Sequence, residues 1–256
     1  MKWPYQLYLI RHGESAYNVL KARKQDDPLY AEFKRCFEVE PSSEKTRGLA
    51  LAVKERFALK VSDSATQITD TGREQARETG KALKLRAHLP DVIFVSPYDR
   101  TLSTLEHMYE GWEELRSVPL RKDERLREQE HGLSLLYNDW RVFQTLYPEQ
   151  RELMDLLGTY RYTYPQGEDV PDMRHRDQLW LTTLTRDFSG KRVFAIMHHL
   201  RMLATMANLE SWGEQEFIEF DEHHKPSNAG VTLYQCDPGR GTDGKFVREY
   251  YNKTYY

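Results

Sequence analysis

Four short stretches of this sequence, and an asparagine after the first, carry residue types suited to moving a phosphoryl group. Arg11 and His12 stand in Arg11-His12-Gly13-Glu14-Ser15, Arg100 in Ser96-Pro97-Tyr98-Asp99-Arg100-Thr101, and His198 in Ala195-Ile196-Met197-His198-His199. Glutamates occur in Arg127-Glu128-Gln129-Glu130, and Asn18 follows the first motif. A neutral imidazole, with an ordinary pKa of about 6.5, is a competent nucleophile toward phosphorus at physiological pH. An arginine fork holds phosphate oxygens bidentately, so Arg11 and Arg100 suit a dianion. Gly13 removes a side chain that would block in-line approach to His12. Phosphate-ester cleavage also needs a carboxyl group to protonate the leaving oxygen and then activate water, for which Glu128 and Glu130 are both candidates by chemistry alone. A histidine at a strand end can donate to a phosphate oxygen, as can the backbone N–H of the residue after it, which here gives His198 and His199. Arg-His-Gly-Glu arises by chance in only on the order of one chain in a thousand of this length.

The elements that must position these groups are legible as apolar runs bounded by turn residues. Candidate buried strands run from Gln6 to Ile10, Val92 to Ser96, Val118 to Lys122, Arg192 to Met197 and Val231 to Cys236. Helical patterns lie between them: Asp70 to Leu85, capped by Thr69, then Asp99 to Tyr109 and Asp169 to Phe188. This alternation predicts an α/β fold with a mostly parallel sheet covered by helices on both faces. Ligands bind such sheets beyond the carboxyl ends of the strands, where His12 and His198 fall. Two stretches interrupt the pattern. Residues from about 21 to 64 are dense in both signs of charge and read as a solvated helical insertion, with a lid as the alternative. Residues from about 133 to 165 show helical spacing of Trp140, Phe143, Leu146 and Leu153, a pattern expected of core. We read all 256 residues as one domain carrying these two insertions.

Taken in order, the motifs resemble the histidine phosphatase superfamily, also called the phosphoglycerate mutase-like family. The resemblance runs from Leu7 to about Tyr234. It comprises Arg-His-Gly-Glu, Ile68-Thr69-x-x-Gly72-x-x-Gln75-Ala76, Ser-Pro-x-x-Arg, the loop glutamate, Pro165-x-Gly167-Glu168, the strand-end histidine and the late Asn228. The wording around Arg100 and Glu128 is most similar to plant and fungal phosphoglycerate mutase-like proteins. The resemblance implies a three-layer α/β/α sandwich with no metal or other cofactor. It implies that His12 becomes the phosphohistidine, that Arg11, Arg100 and His198 bind the phosphoryl oxygens, and that Asn18 supports them. The family's loop glutamate lies four residues before the loop glycine, which selects Glu128 over Glu130 as general acid and base. His199 departs from the family, which has glycine there; its backbone N–H stays available, and its side chain is expected to crowd the pocket mouth.

The reaction expected is hydrolysis of phosphomonoesters on a phosphorylated small molecule. A phosphoglycerate mutase is the first alternative. Gln129 and Glu130 after the glutamate, Ser134-Leu135-Leu136 in place of Leu-Gln-Gly, and the lack of an Arg-Arg pair all speak against it. The second alternative is an inactive module that binds phosphorylated ligands, which the complete residue set disfavours. Thirty-seven basic and forty acidic side chains give a formal charge of −3 and a pI near 6.3, so no global field draws the chain to nucleic acid or anionic membrane. Mean hydropathy is −0.77, and no secretory signal or membrane span is legible, which gives a cytoplasmic expectation. Cys36 and Cys236 read as free thiols, and adjacent histidines at 198–199 and 223–224 do not make a familiar zinc spacing. The oligomeric state is not legible.

Overall fold

The computed structural model describes residues 2–256. In chain order it contains β1 (Gln6–Arg11), α1 (Ala16–Gln25), α2 (Pro28–Val39), α3 (Glu44–Arg56), α4 (Asp70–Arg86), β2 (Val92–Val95), α5 (Asp99–Gly111) and β3 (Leu120–Lys122). It continues through α6 (Trp140–Leu146), α7 (Pro148–Leu157), α8 (Val170–Asp187), β4 (Arg192–Met197), α9 (His199–Glu210), α10 (Glu214–His223), β5 (Val231–Asp237) and β6 (Lys245–Lys253). Contacts divide the chain into two compact units. The first takes residues 1–15, 64–128 and 172–256; the second takes 16–63 and 129–171. Both stretches that interrupt the α/β pattern in the sequence fall in the second unit.

The first unit is built on one six-stranded sheet in the order β3-β2-β4-β1-β5-β6. β3, β2, β4 and β1 are mutually parallel, and β5 and β6 form an antiparallel edge. The central strands are unbroken apolar runs because both faces are covered. Alternate residues show this: Tyr8, Ile10, Ile93, Val95, Phe194 and Ile196 face a core with Ala76 and Leu83 of α4 and Leu105 and Met108 of α5. Phe94 points the opposite way, its ring 5.8 Å from Trp180 of α8 and 5.3 Å from Phe188. Helices therefore lie on both faces of the sheet, as the α/β/α reading requires. Thr69 caps α4, its hydroxyl accepting from the Gly72 amide at 3.1 Å. The register sets the site: Ile10 pairs with Ile196 and Arg11 with Met197, while Val95 also pairs with Ile196. The residues that follow β1, β4 and β2 are His12, His198 and Ser96, so all three leave the sheet at one edge. β6 is not anticipated by the sequence pattern, because its face alternates Phe246 with charged and aromatic positions. Tyr250 on it and Tyr255 after it pack against the core.

The second unit is helical, with its own core of Leu20, Tyr30, Phe33, Phe37, Ala50, Val53, Phe57, Tyr137, Val142 and Phe143. Asp27 caps α2, accepting from the Leu29 amide at 2.9 Å, with Pro28 in the first turn where it needs no donor; Ser43 caps α3. The expectation that this charged stretch is a solvated face fails at Lys24, which is 3% exposed. Its ammonium donates to the Asn138 carbonyl at 2.6 Å and to Asp139 at 2.9 Å, and Asp139 also accepts from Tyr30 at 2.5 Å and from the Arg141 amide at 2.9 Å. Burial pushes the Asp139 carboxyl up, but Lys24 and Tyr30 outweigh it and hold the group below its ordinary range. Removing one partner of such a buried pair leaves the other uncompensated. Asp139→Ala should cost about 3–5 kcal/mol in urea unfolding, whereas breaking the exposed Lys45–Glu32 pair should barely move the midpoint. Trp140 and Leu153 are a second correction: they are exposed, and only Phe143 and Leu146 of that pattern join the core. No helix among the described residues is long and apolar enough to cross a membrane.

Candidate active site

His12 is 4% exposed and held at three points of its backbone. Its amide donates to the Met197 carbonyl at 3.0 Å, and its carbonyl accepts from the Ala229 amide at 3.1 Å and the Asn228 side chain at 3.2 Å. On the ring, Nδ1 lies 2.7 Å from the Gly13 carbonyl. A carbonyl can only accept, so Nδ1 carries the proton. Nε2 of the neutral imidazole then holds the lone pair. Burial, followed by the charges of Arg100 and Arg11, holds this ring well below its ordinary pKa, so it stays neutral across the physiological range.

Gly13 has a structural explanation other than open access for a substrate. A Cβ there would lie 2.4 Å from the Gly72 carbonyl oxygen, and a Cβ at Gly72 would lie 2.2 Å from the Glu14 carbonyl oxygen. The loop after β1 and the first turn of α4 meet backbone to backbone, which is why both motifs contain glycine. The Gly13 amide donates to Thr104 of α5 at 2.9 Å and the Glu14 amide to Gln75 of α4 at 2.9 Å. Two helices thus fix the loop that carries His12.

Arg11 donates to the Pro226 carbonyl at 2.6 Å through one Nη, while its buried Nε has no partner among the described residues. Arg100, 5% exposed in the first turn of α5, lies over the Tyr98 ring at 4.9 Å and donates from Nε to Nδ1 of His198 at 3.1 Å. His198 is fully buried, with its ring centroid 5.3 Å from that of His12. Its Nδ1 accepts, so the neutral ring carries its proton on Nε2, which donates to Ser96 at 2.8 Å. Both ring nitrogens are therefore engaged within the protein. His198, expected from the sequence to donate to phosphate, here accepts from Arg100 and donates to Ser96. Burial, then Arg100, His12 and Arg11, lower His198 far below its ordinary value as well.

These two neutral rings make stability depend on pH. Unfolding exposes them to water, where they take up protons below about pH 6.5; the folded state refuses those protons until much lower pH. The unfolded state thus binds more protons in that window, and stability falls as pH drops. Thermal melting followed from pH 8 to pH 5 should show Tm decreasing below about pH 6.5, with a shallower decline in His12→Gln/His198→Gln.

Glu128 follows the short 3₁₀ turn Glu124–Leu126, and its carboxylate accepts from the amides of Leu200 at 3.3 Å and Arg201 at 3.1 Å. It occupies the N-terminus of α9, where free amides and the helix dipole favour an anion. Arg11 registers its charge: burial lowers the guanidinium, Glu128 opposes that shift and Arg100 adds to it. Arg11, His12, Arg100, Glu128 and His198 all belong to the first unit. Asn18, on α1, and Glu130 belong to the second, and Asn18 is assigned by its motif alone. The Glu130 amide donates to the Glu168 carboxylate at 3.1 Å, and Gln129 donates to the Glu168 carbonyl at 2.9 Å. Pro-x-Gly-Glu is thereby a brace for residues 129–132. His199 turns toward α10, its Nε2 2.9 Å from an Asp221 oxygen. His223 and His224, expected in a surface loop, end α10 and are exposed. Sequence reading missed Ser96, Thr104, Gln75, Arg176 and Arg201. Ser96 and Gln75 both lay within quoted motifs, without a role assigned to either.

At the carboxyl ends of the parallel strands, a neutral, buried histidine thus lies under the charges of two arginines. The family model of the histidine phosphatase superfamily (branch 1) matches residues 54–246, and the chain belongs to that superfamily. The match begins beyond Arg11-His12, from which α1–α3 separate it in sequence, whereas β1 returns the motif to the middle of the sheet. Two curated Arabidopsis thaliana relatives, the phosphoglycerate mutase-like proteins AT74 and AT74H, are each 27% identical, over 193 and 201 residues. The alignments cover 69% and 74% of this chain and 58% and 56% of those proteins, so the chain spans a little over half the length of these relatives. Solved structures share the fold. A mycobacterial glucosyl-3-phosphoglycerate phosphatase gives a TM-score of 0.61 at 17% identity, covering 98% of this chain and 100% of its own. Phosphoserine phosphatase from Entamoeba histolytica, in complex with 3-phosphoglyceric acid, gives 0.61 at 16% identity, covering 97% of each.

Proposed function

We propose that the chain is a metal-independent phosphatase that hydrolyses phosphomonoesters of small molecules through a phosphohistidine on His12. The observation that carries this reading is the tautomer of His12: the Gly13 carbonyl holds the proton on Nδ1 and leaves Nε2 as a lone pair on a neutral, buried ring. In the first step Arg11 and Arg100 hold the dianion, Nε2 forms a bond to phosphorus, and the P–O bond to the leaving group breaks as Glu128 gives that oxygen a proton. In the second, Glu128 takes a proton from water, the hydroxide oxygen bonds to phosphorus, and the P–N bond breaks to release inorganic phosphate and neutral His12. Two guanidinium groups supply the charge that a metal ion supplies in kinases. His198 holds Arg100 to this task, and the amide of His199 adds a donor at the start of α9. We place the reaction in the cytoplasm.

Hydrolysis of p-nitrophenyl phosphate in excess EDTA tests the proposal. Chelator-resistant release of phosphate supports it. Activity lost in EDTA and restored by a divalent cation contradicts it.

A further inference from the structure

Glu128 lies in a stretch without a strand partner, so the backbone carbonyls around it must find donors elsewhere. Three of them are taken by one side chain. Arg176 of α8 donates through Nη1 to the carbonyls of Arg125 at 2.7 Å and Arg127 at 3.0 Å, and through Nη2 to the carbonyl of Glu128 itself at 3.3 Å. Beside it, the fully buried Arg201 donates from Nε to the Arg125 carbonyl at 2.8 Å and pairs with Asp177, the next residue of α8. The Glu128 carboxylate is held at its far end by the amides of α9. Its backbone and its side chain are thus fixed by two different helices, and the backbone half depends on the planar fork of Arg176. A lysine carries all its donors on one nitrogen and cannot reproduce contacts made from both Nη1 and Nη2.

We propose that Arg176 is a positioning residue that aims Glu128 at the leaving-group oxygen and so sets the efficiency of proton delivery. The proposal rests on Glu128 being the general acid. Proton donation matters most when the leaving group is a poor one, which makes substrate comparison diagnostic. The experiment measures kcat/KM for p-nitrophenyl phosphate and for glycerol 3-phosphate in the wild type, Arg176→Lys, Arg176→Met and Glu128→Gln, with Tm recorded for each. Arg176→Lys keeps the charge and most of the stem, so it isolates the fork from gross unfolding. The expected result is a loss of about 10–100-fold on the alkyl phosphate and under about 3-fold on the aryl phosphate in both Arg176 variants, with a larger loss of the same selectivity in Glu128→Gln. Equal losses on the two substrates in folded Arg176→Lys, or no loss on either, overturn the positioning role. Equal losses in Glu128→Gln overturn instead the assignment of Glu128, and the positioning role falls with it.

Discussion

On the proposed route, replacing His12 by alanine should lower kcat/KM for p-nitrophenyl phosphate by about 10⁴-fold or more while the fold persists. The size follows from the proposed role: on that route no phosphoryl-enzyme forms without Nε2, and the remaining groups hold a substrate that water must attack unaided. Persistence of the fold follows from the surroundings. The loop is held by backbone contacts to Met197 and Ala229 and by Thr104 and Gln75, none of which uses the imidazole. Substrate binding should survive better than turnover, because Arg11 and Arg100 remain. Stopped-assay kinetics with inorganic phosphate as a competing ligand would separate the two. A variant that still turned over within tenfold of the wild type would remove His12 from the chemistry.

The second large effect is expected at Arg100. Arg100→Met deletes a proposed phosphate donor, which by analogy with other preorganised donors should lower kcat/KM by about 10²–10³-fold. It also strips Nδ1 of His198 of its partner. The substitution has a signature beyond the loss of rate. After burial, Arg100 is the largest influence holding both His12 and His198 down. Its positive charge disfavours imidazolium, so removing it moves both rings toward their ordinary pKa. The acid limb of the kcat/KM profile, where on the proposed route protonation silences His12, should therefore shift to higher pH in Arg100→Met. A limb that stayed in place would mean that this limb reports some other group.

How much of this was legible in the sequence differs between the sheet and its supports. Strands that are apolar throughout announce themselves, and a histidine directly after each of two such runs locates the site, because the carboxyl ends of parallel strands share one edge. Contacts across long sequence separations leave no such trace. A side chain at Gly13 would meet the backbone of Gly72 and one at Gly72 the backbone of Glu14, which no local pattern reveals. Arg176 reads as a charge on an amphipathic helix, yet it serves carbonyls near Glu128. Lys24 sits in a run of surface charges and is buried because Asp139, far along the chain, turns in to meet it. β6 stayed hidden because an edge strand with one face in water lacks the continuous apolar run of the central strands. The tautomer of His12, on which the proposed chemistry turns, depends on a single carbonyl and is visible only in coordinates.

The central claim is that phosphate passes through His12. It is tested most directly by mixing the protein with ³²P-labelled phosphomonoester, quenching within the first turnovers in alkali, and mapping the label by peptide mass spectrometry. The account predicts label on the peptide containing His12, stable in alkali and lost in acid, and absent from His12→Ala. Label stable in acid and located on a serine or threonine, or steady turnover with no labelled enzyme at any time, would contradict it.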